Sequence, residues 1–201
     1  QYLQENTRYI SIQLGIGGWK PMLAKDVNRL GYGDCKALVN YTQALLKEAG
    51  IESYYTIIYG NKNKKSIEKD FVSEQGNHII LTIPNGNETV FLECTNQNIP
   101  FGYLGESTDD RYAFVIKENA SEIIKTKEYT DKENLQTSNS IGTIDENGNL
   151  KLTLTTLSEG INYGKKYGLL SMSKQELENY YKESEFNWIN NLKLTDIKFK
   201  N

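Results

Sequence analysis

The residues that could do chemistry here are few, because the sequence has two cysteines and one histidine. Cys35 directly follows Asp34 at the start of a segment with helical periodicity. A thiol at a helix N-terminus is favoured as the nucleophilic thiolate, because unpaired N–H groups and the helix dipole stabilise negative charge. The same N–H groups can hold the oxyanion that forms when the thiolate attacks a carbonyl. The alternative is that Cys35 is a small buried apolar residue.

His78 is the only imidazole, and it lies in a predicted β-hairpin whose turn is marked by Asn85-Gly86. Pro84 cannot donate the hydrogen bond that closes a two-residue loop, which favours a four-residue loop with the same centre. Either loop places His78 directly opposite Glu93, with Cβ atoms about 5 Å apart. A carboxylate there can orient the imidazole, the third role in a Cys-His-acid site. The alternative is a purely structural pair, and a slip of one residue moves Glu93 to the other face.

Other chemistries compete poorly for the same residues. Cys35, His78 and Cys94 lack the paired short spacings of zinc sites. The glycines at 15–18 lack the Lys-Ser/Thr pair of a phosphate-binding loop, so no metal or cofactor is implied. A Cys35–Cys94 disulfide can form in an oxidising compartment, but it would consume the thiol. Cys94 is adjacent to Glu93 and is therefore expected on the opposite strand face.

The elements that must position these residues are predicted over residues 1–133. The clearest is a helix from Asp34 to Ala49, with Asp34 as its N-cap and Gly50 just past its end. The other predictions, in chain order, are a strand over 7–14, a short helix from Pro21 to Leu30, a loop at Gly31-Tyr32-Gly33, strands over 53–59, 77–83, 88–94 and 111–117, a polar loop over 60–76 and an irregular excursion over 100–110.

A second part is predicted from residue 134 to 201, because the chain turns polar and loses periodicity over 125–140. Strands over 141–145 and 149–157 flank Asn147-Gly148, a hairpin signal. Ser173 and Glu176 form a capping-box pattern that opens a helix, and a last strand is predicted over 192–199. This β-β-α-β segment of about 60 residues is small for an independent domain, which indicates that it is incomplete or packs on the first domain.

Composition excludes several classes of protein. With 201 residues and 38% hydrophobic residues, the chain can bury a core and is not wholly disordered. A net charge of -3 argues against a dedicated nucleic-acid binder. No run of about 18 apolar residues is present, so no membrane span is predicted. The start at Gln1, without Met or a leader, suggests a piece of a longer protein or a processed form.

The sequence around Cys35 resembles a known family. The run Gly31-Tyr32-Gly33-Asp34-Cys35-Lys36, followed by an apolar helix and Gly50-Ile51, resembles the transglutaminase-like superfamily of cysteine enzymes. More closely, the chain looks like large bacterial proteins, common in Bacteroidetes, that carry such a core between two β-rich domains. Further matching segments are residues 8–18 with Pro21 and Ala24, Asn77-His78, residues 91–95, and residues 100–111. The tail from Ile141 looks like the start of the C-terminal β-rich domain.

The resemblance implies an α+β fold with a papain-like core, in which the cysteine helix packs on an antiparallel sheet, followed by a small β-rich domain. It implies Cys35 as nucleophile, His78 as base and Glu93 as the third residue. The family usually has Asp at this third position. The longer Glu93 therefore requires the imidazole to shift or the carboxylate to fold back.

Four further residues have expected supporting roles. Gln13 and Trp19 are candidates for an oxyanion or ring contact near Cys35. Asp34 is expected to cap the helix rather than to catalyse. Arg111 is expected to hold the 100–110 excursion in place through an ion pair.

The implied function is thiol-dependent acyl transfer on peptide or glutamine-type amides. Bacterial relatives favour hydrolysis, and an amine acceptor would instead make the protein a transglutaminase. The expected partners are a peptide or protein substrate and further domains on the N-terminal side, without nucleic acid. Export to the periplasm or cell envelope is expected from the resemblance alone. The alternative is a non-catalytic binding or scaffold module that retains the fold. Two features favour it, the glutamate at residue 93 in place of the family's usual aspartate and the boundaries of the chain.

Overall fold

The computed structural model describes residues 1–200 and divides the chain into two compact units, one from Gln1 to Lys132 and one that begins at Glu133. The composition of the sequence places the boundary one residue later. Helices alternate with mainly antiparallel strands, so the chain is α+β, as predicted. No helix among the described residues is both long and apolar enough to cross a membrane.

The first unit contains three helices and seven strands. They are α1 (Tyr2–Asn6), β1 (Arg8–Tyr9), α2 (Ala24–Leu30), β2 (Tyr32–Gly33), α3 (Cys35–Glu48), β3 (Tyr54–Ile58), β4 (His78–Asn85), β5 (Glu88–Leu92), β6 (Tyr112–Val115) and β7 (Glu122–Lys125), with a 3₁₀ turn at Gly15–Gly18. Strands β3 to β7 form one antiparallel sheet in the order β5-β4-β3-β6-β7. β1 and β2 pair separately, in parallel.

Local signals at both ends explain helix α3. The Asp34 carboxylate accepts a hydrogen bond from the Ala37 N–H at 3.0 Å, which confirms the predicted N-cap. At the other end Gly50 has φ +71°, a conformation in which glycine avoids the strain of a side chain. The Ile51 N–H then bonds to the Leu46 carbonyl at 2.8 Å, the pattern of a Schellman cap.

Helix α3 packs on the sheet through β4, whose side chains alternate between two apolar clusters. Ile79 and Leu81 pack with Leu38 of α3 in one cluster, while Ile80 packs with Leu104 in the other. Each aliphatic side chain buried in this way contributes about 1.5–3 kcal/mol. The packing fixes the start of α3, and with it Cys35, relative to β4.

The β4–β5 hairpin closes with a two-residue turn at Gly86-Asn87, because Asn85 pairs with Glu88. The predicted centre at Asn85-Gly86 is therefore wrong by one residue. Gly86, with φ +62°, occupies the first turn position, where a type II′ turn takes glycine. Pro84 does not prevent this turn. Its missing N–H points toward β3, and the β3–β4 pairing already ends at Thr82.

The shifted turn changes which residue faces His78. Extension of the observed register places Ile80, not His78, opposite Glu93. The register differs from the predicted one by two residues, so the face of each side chain is preserved. His78 and Glu93 are therefore diagonal neighbours on one face, and the prediction that they are directly opposed is wrong.

The segment before α3 departs most from the predictions. Of the strand predicted over 7–14, only Arg8–Tyr9 is present, and it pairs with Tyr32–Gly33, which was predicted as a loop. Helix α2 begins at Ala24 rather than at Pro21. Alternation predicts a strand along the whole of 7–14, but the partner segment Tyr32–Gly33 pairs with only two of these residues.

The rest of the first unit follows the predicted order. The strands predicted over 53–59, 77–83, 88–94 and 111–117 correspond to β3 to β6, and residues 60–76 contain no helix or strand. Strand β7 was not predicted. It contributes only two apolar residues, Ile123 and Ile124, to an otherwise polar stretch.

Arg111 ties the 100–110 excursion to the sheet with a fully buried side chain. Its guanidinium donates to the carbonyls of Asp109 and Glu106, each at 2.9 Å, and to those of Tyr59 and Asn61 at 2.6 and 2.8 Å. Its ion pair with Asp109 is longer, at 3.7 Å. The expected anchoring role is present, but backbone carbonyls provide most of the contacts.

The described residues of the second unit form two strands and two α-helices, β8 (Gln136–Ile144), β9 (Leu150–Ser158), α4 (Ile161–Gly164) and α5 (Lys174–Tyr180), with a 3₁₀ turn at Tyr167–Ser171 and a π-helical turn at Tyr181–Glu185. The hairpin and the Ser173–Glu176 capping box are confirmed, although β8 begins at Gln136 rather than at Ile141. The strand predicted over 192–199 is wrong, since the described residues there form none. An alternating pattern forms a strand only where a partner completes its hydrogen bonds.

Candidate functional site

The candidate nucleophile, Cys35, is the first residue of α3 and is 6% exposed. The side chain and the carbonyl of Asp34 already accept from the N–H groups of Ala37 and Leu38. The N–H groups of Cys35 and Lys36 have no acceptor in the part of the chain that the structure describes. Unpaired N–H groups at a helix start are donors of the kind that can stabilise an oxyanion.

The short β1–β2 pairing explains how the chain enters α3. The Ile10 N–H donates to the Gly33 carbonyl at 2.9 Å and anchors the backbone just before Cys35. A Cβ atom on Gly33 would lie 2.7 Å from the Ala37 Cβ. Glycine is therefore required at residue 33, because only a residue without a side chain can approach the first turn of α3 so closely.

His78 and Glu93 are in direct contact. His78 Nε2 lies 2.7 Å from Glu93 Oε2, and the two side chains are only 19% and 12% exposed. His78 begins β4, and Glu93 follows the last residue of β5. The predicted contact is thus present, although it is made across a diagonal of the hairpin.

Cys35 is the second polar group that acts on the imidazole. Burial alone would lower the pKa of His78, but the Glu93 carboxylate and the Cys35 side chain outweigh it and raise this pKa to about 10. Nε2 is bonded to Glu93, so Nδ1 is the ring nitrogen that Glu93 does not use. With this pKa the ring is protonated at neutral pH, and both the Cys35 side chain and the Glu93 carboxylate favour that form.

Glu93 is held in its ionised form. Burial would raise its pKa, but the His78 ring and hydrogen bonds from Thr95 outweigh burial, so the pKa of Glu93 is below its ordinary value. Oε1 accepts from the Thr95 N–H at 3.0 Å and from the Thr95 hydroxyl at 2.6 Å. Thr95 was missed by the sequence analysis, although its position two residues after an acidic residue is where Asx-like turns place such donors.

Asp34 is a structural residue at this site. Besides capping α3, its Oδ2 forms a buried ion pair with Lys36 Nζ. The two side chains are 3% and 9% exposed. All the bonds described for Asp34 stabilise the start of the helix, which agrees with the expected capping role.

Tyr55 is a further residue near the thiol that the sequence analysis missed. It faces the same apolar cluster as Cys35. Burial raises its pKa, and the charges of Cys35 and Asp34 raise it further. The phenol therefore stays protonated and can only donate or accept hydrogen bonds beside Cys35. Alternation along β3 could have placed it on the helix-facing side, but not beside this thiol.

Gln13 and Trp19 are not brought to Cys35 by any contact within the described residues. The Gln13 amide donates to Ser11 Oγ at 3.4 Å. Trp19 follows the 3₁₀ turn and is 69% exposed. Their expected role at the oxyanion stays a prediction.

The second thiol has a different environment. Cys94 is buried in the cluster between α3 and the sheet, and burial raises its pKa to about 12. Cys35 and Cys94 are both free thiols. Among the described residues, no group of three or more His, Cys, Asp or Glu side chains is arranged to hold a metal ion.

The site thus joins a thiol at a helix start, a charged imidazole and an ionised carboxylate, which is the order of groups used in nucleophilic catalysis by cysteine. Comparison of the chain with family models, curated proteins and solved structures finds no match. The resemblance to transglutaminase-like enzymes accordingly rests on the residues of this sequence.

Proposed function

We propose that Cys35, His78 and Glu93 form the catalytic triad of a cysteine enzyme that transfers acyl groups from peptide or glutamine-type amides, mainly to water. The observation that carries this proposal is the His78 imidazole, which lies 2.7 Å from Glu93 and whose pKa the Cys35 side chain also raises. A papain- or transglutaminase-like core, with a helix that begins at the cysteine and packs on an antiparallel sheet, is part of the proposal.

In the first half-reaction the Cys35 thiolate attacks the amide carbonyl carbon. The developing oxyanion accepts from the N–H groups of Cys35 and Lys36 at the start of α3. The imidazolium of His78 donates its proton to the leaving nitrogen as the C–N bond breaks. An amine departs, and Cys35 is left as a thioester.

In the second half-reaction water attacks the thioester carbonyl. The neutral His78 formed in the first step takes a proton from the water, and the C–S bond breaks to release a carboxylic acid and the thiolate. Glu93 stabilises the imidazolium at both ends of the cycle. If a primary amine replaces water, the product is a new amide and the reaction is transamidation.

Two environmental features support hydrolysis or transamidation at this thiol rather than at Cys94. Cys35 and Cys94 lie in the same apolar cluster, but Cys35 also adjoins the His78 imidazole and the start of α3. A thiolate is the reactive species, so the group with charge-stabilising neighbours is the reactive one. Export to the cell envelope, which the resemblance implies, belongs to the same proposal.

The test is labelling of Cys35 in the full chain. Iodoacetamide labelling followed by mass spectrometry should show rapid reaction at Cys35 well below the ordinary thiol pKa of about 8.5, and a large loss of rate in His78→Ala. Incubation with glutamine-containing peptides and hydroxylamine should give hydroxamates, because hydroxylamine traps a thioester. Labelling at the rate of a model thiol, unchanged in His78→Ala, would rule out the triad.

A non-catalytic binding module is the second candidate, and one observation favours it. Cys35 is only 6% exposed, so a substrate carbonyl needs local opening to reach the sulfur. A scaffold role predicts the His78–Glu93 pair without hydroxamate formation from any peptide. Rapid labelling together with hydroxamate formation would reject this candidate.

A further inference from the structure

We infer that Gly60, held in place by Asn77 and Arg111, is a positioning element that sets the orientation of the His78 imidazole toward Cys35 and Glu93. These three residues are called the Gly60 clamp. Its importance for catalysis rests on the proposed function, whereas its effect on the ring can be measured without it.

Gly60 lies so close to His78 that there is no space for a side chain at residue 60. A Cβ atom on Gly60 would lie 2.8 Å from His78 Cβ, 3.1 Å from Cγ and 3.3 Å from Cδ2. These atoms are at the root of the side chain, so it cannot give way by moving a flexible end. Gly60 has no positive φ, unlike Gly31 or Gly50, so the residue is needed for space and not for backbone freedom.

The Asn77 side chain forms hydrogen bonds to the backbone of Gly60. Its Oδ1 accepts from the Gly60 N–H at 2.6 Å, and its Nδ2 donates to the Gly60 carbonyl at 3.3 Å. Both polar groups of Gly60 are thus bonded to the residue that precedes His78. The loop after β3 is thereby tied to the start of β4 at the ring itself.

Arg111 holds the residues on both sides of Gly60 in the chain. Its Nη1 donates to the carbonyls of Tyr59 and Asn61, the two residues that flank Gly60. The guanidinium is fully buried, and its remaining donors bond to the 100–110 excursion. A planar guanidinium can satisfy all these carbonyls in one fixed geometry, which a lysine ammonium on a flexible stem cannot.

Together these contacts leave the imidazole little freedom. Glu93 holds Nε2, Cys35 acts on the ring, and Gly60 leaves no room for a side chain beside Cβ, Cγ and Cδ2 of His78. A catalytic group needs placement within about 0.5 Å, and such precision comes from surrounding packing and hydrogen bonds. The clamp adds close packing at the root of the side chain to the hydrogen bond with Glu93.

The test uses NMR titration of the full chain, in which His78 gives the only histidine ring signals. In Gly60→Ala the measured pKa of His78 should fall by at least about one unit toward its ordinary value. Labelling of Cys35 should slow roughly tenfold or more, because displacement of a positioned group by 1 Å is costly. Arg111→Lys should change both readouts in the same direction.

Gly105→Ala is the matched control, because a Cβ there would meet nothing closer than Tyr103 Cε1 at 3.7 Å. It should leave both readouts unchanged. If Gly60→Ala does not fold, Asn77→Ala at an exposed residue decides by the same readouts. An unchanged His78 pKa and labelling rate in the folded variant would overturn the clamp. A shifted pKa in a protein that forms no hydroxamate would uphold the clamp and reject the proposed function.

Discussion

Glu93 lies diagonally across the β4–β5 hairpin from His78 and still places Oε2 2.7 Å from Nε2. Diagonal neighbours on a sheet are about 7–8 Å apart, farther than opposed ones, so a longer side chain is suited to the gap. The same carboxylate reaches back to Thr95 with its other oxygen. The glutamate is therefore matched to this register, where the resembling family usually has aspartate.

Shortening Glu93 and neutralising it should lower the pKa of His78 and the labelling rate of Cys35 to different degrees. Glu93→Gln removes the charge that raises the pKa of His78, so this pKa should fall and Cys35 labelling should slow by about 10- to 100-fold. Glu93→Asp keeps the charge but cannot reach both His78 and Thr95, so an intermediate loss is expected. NMR titration of His78 and the labelling rate measure both effects. Equal behaviour of Glu93→Gln and wild type would contradict the role of the carboxylate.

Removal of the Thr95 hydroxyl should destabilise the ionised Glu93. Thr95→Val keeps the shape and the N–H bond but loses the 2.6 Å hydrogen bond to Oε1. Hydrogen bonds to charged groups contribute about 1.5–3 kcal/mol. The free energy of unfolding of Thr95→Val, measured in urea at pH 7, should therefore be lower by an amount near the bottom of this range. Thr89→Val, at an exposed position of β5, should change the unfolding free energy little. An equal decrease in unfolding free energy in Thr95→Val and Thr89→Val would contradict the role of the Thr95 hydroxyl.

The His78–Glu93 pair should make stability depend on pH in a defined window. The folded pKa of His78, about 10, exceeds its ordinary 6.5, so its contribution is full below pH 6.5 and is lost as pH rises toward 10. The pKa of Glu93 is lowered, so its contribution is present above 4.5 and is lost as pH falls. The difference in unfolding free energy between wild type and His78→Gln should therefore be greatest at about pH 5–6.5. A difference that grows from pH 7 to 10 would have the wrong sign.

Asp34 and Lys36 should show strong coupling, because both are buried and each neutralises the other. Asp34→Ala loses the cap of α3 and leaves the Lys36 ammonium unpaired, so a loss of about 3–5 kcal/mol is expected. The double variant Asp34→Asn with Lys36→Met removes both charges and should lose clearly less. Urea unfolding of the two variants measures the coupling. Additive losses in a complete double-mutant cycle would show that the ion pair contributes nothing.

The two thiols should react in sequence rather than together. Cys94 is buried and has a pKa near 12, so native protein should take up one label, at Cys35. Cys94 should react only after unfolding in urea, because its raised pKa leaves it protonated, whereas the equally buried Cys35 adjoins the His78 ring. Mass spectrometry of native and unfolded samples counts the labels. Cys94→Ser should leave the labelling rate of Cys35 in native protein unchanged. Labelling of Cys94 before Cys35 in native protein would contradict the burial of Cys94.

The sequence by itself determined the features that depend on neighbouring residues. Asp34 and Gly50 delimit α3 because caps act within one helical turn. The face shared by His78 and Glu93 follows from the period of two along a strand, which survives a register shift of two residues. The His78–Glu93 contact could therefore be predicted although the centre of the predicted turn, Asn85-Gly86, is one residue from the observed centre.

Only the tertiary structure decided the relationships between distant segments. The turn at Gly86-Asn87, the parallel pairing of β1 with β2 and the approach of Cys35 to His78 depend on which surfaces pack together. The hold of Arg111 and Asn77 on Gly60 likewise joins segments that no local pattern relates. Local signals act over a few residues. The geometry of a catalytic site is set by packing and buried hydrogen bonds between residues far apart in the chain.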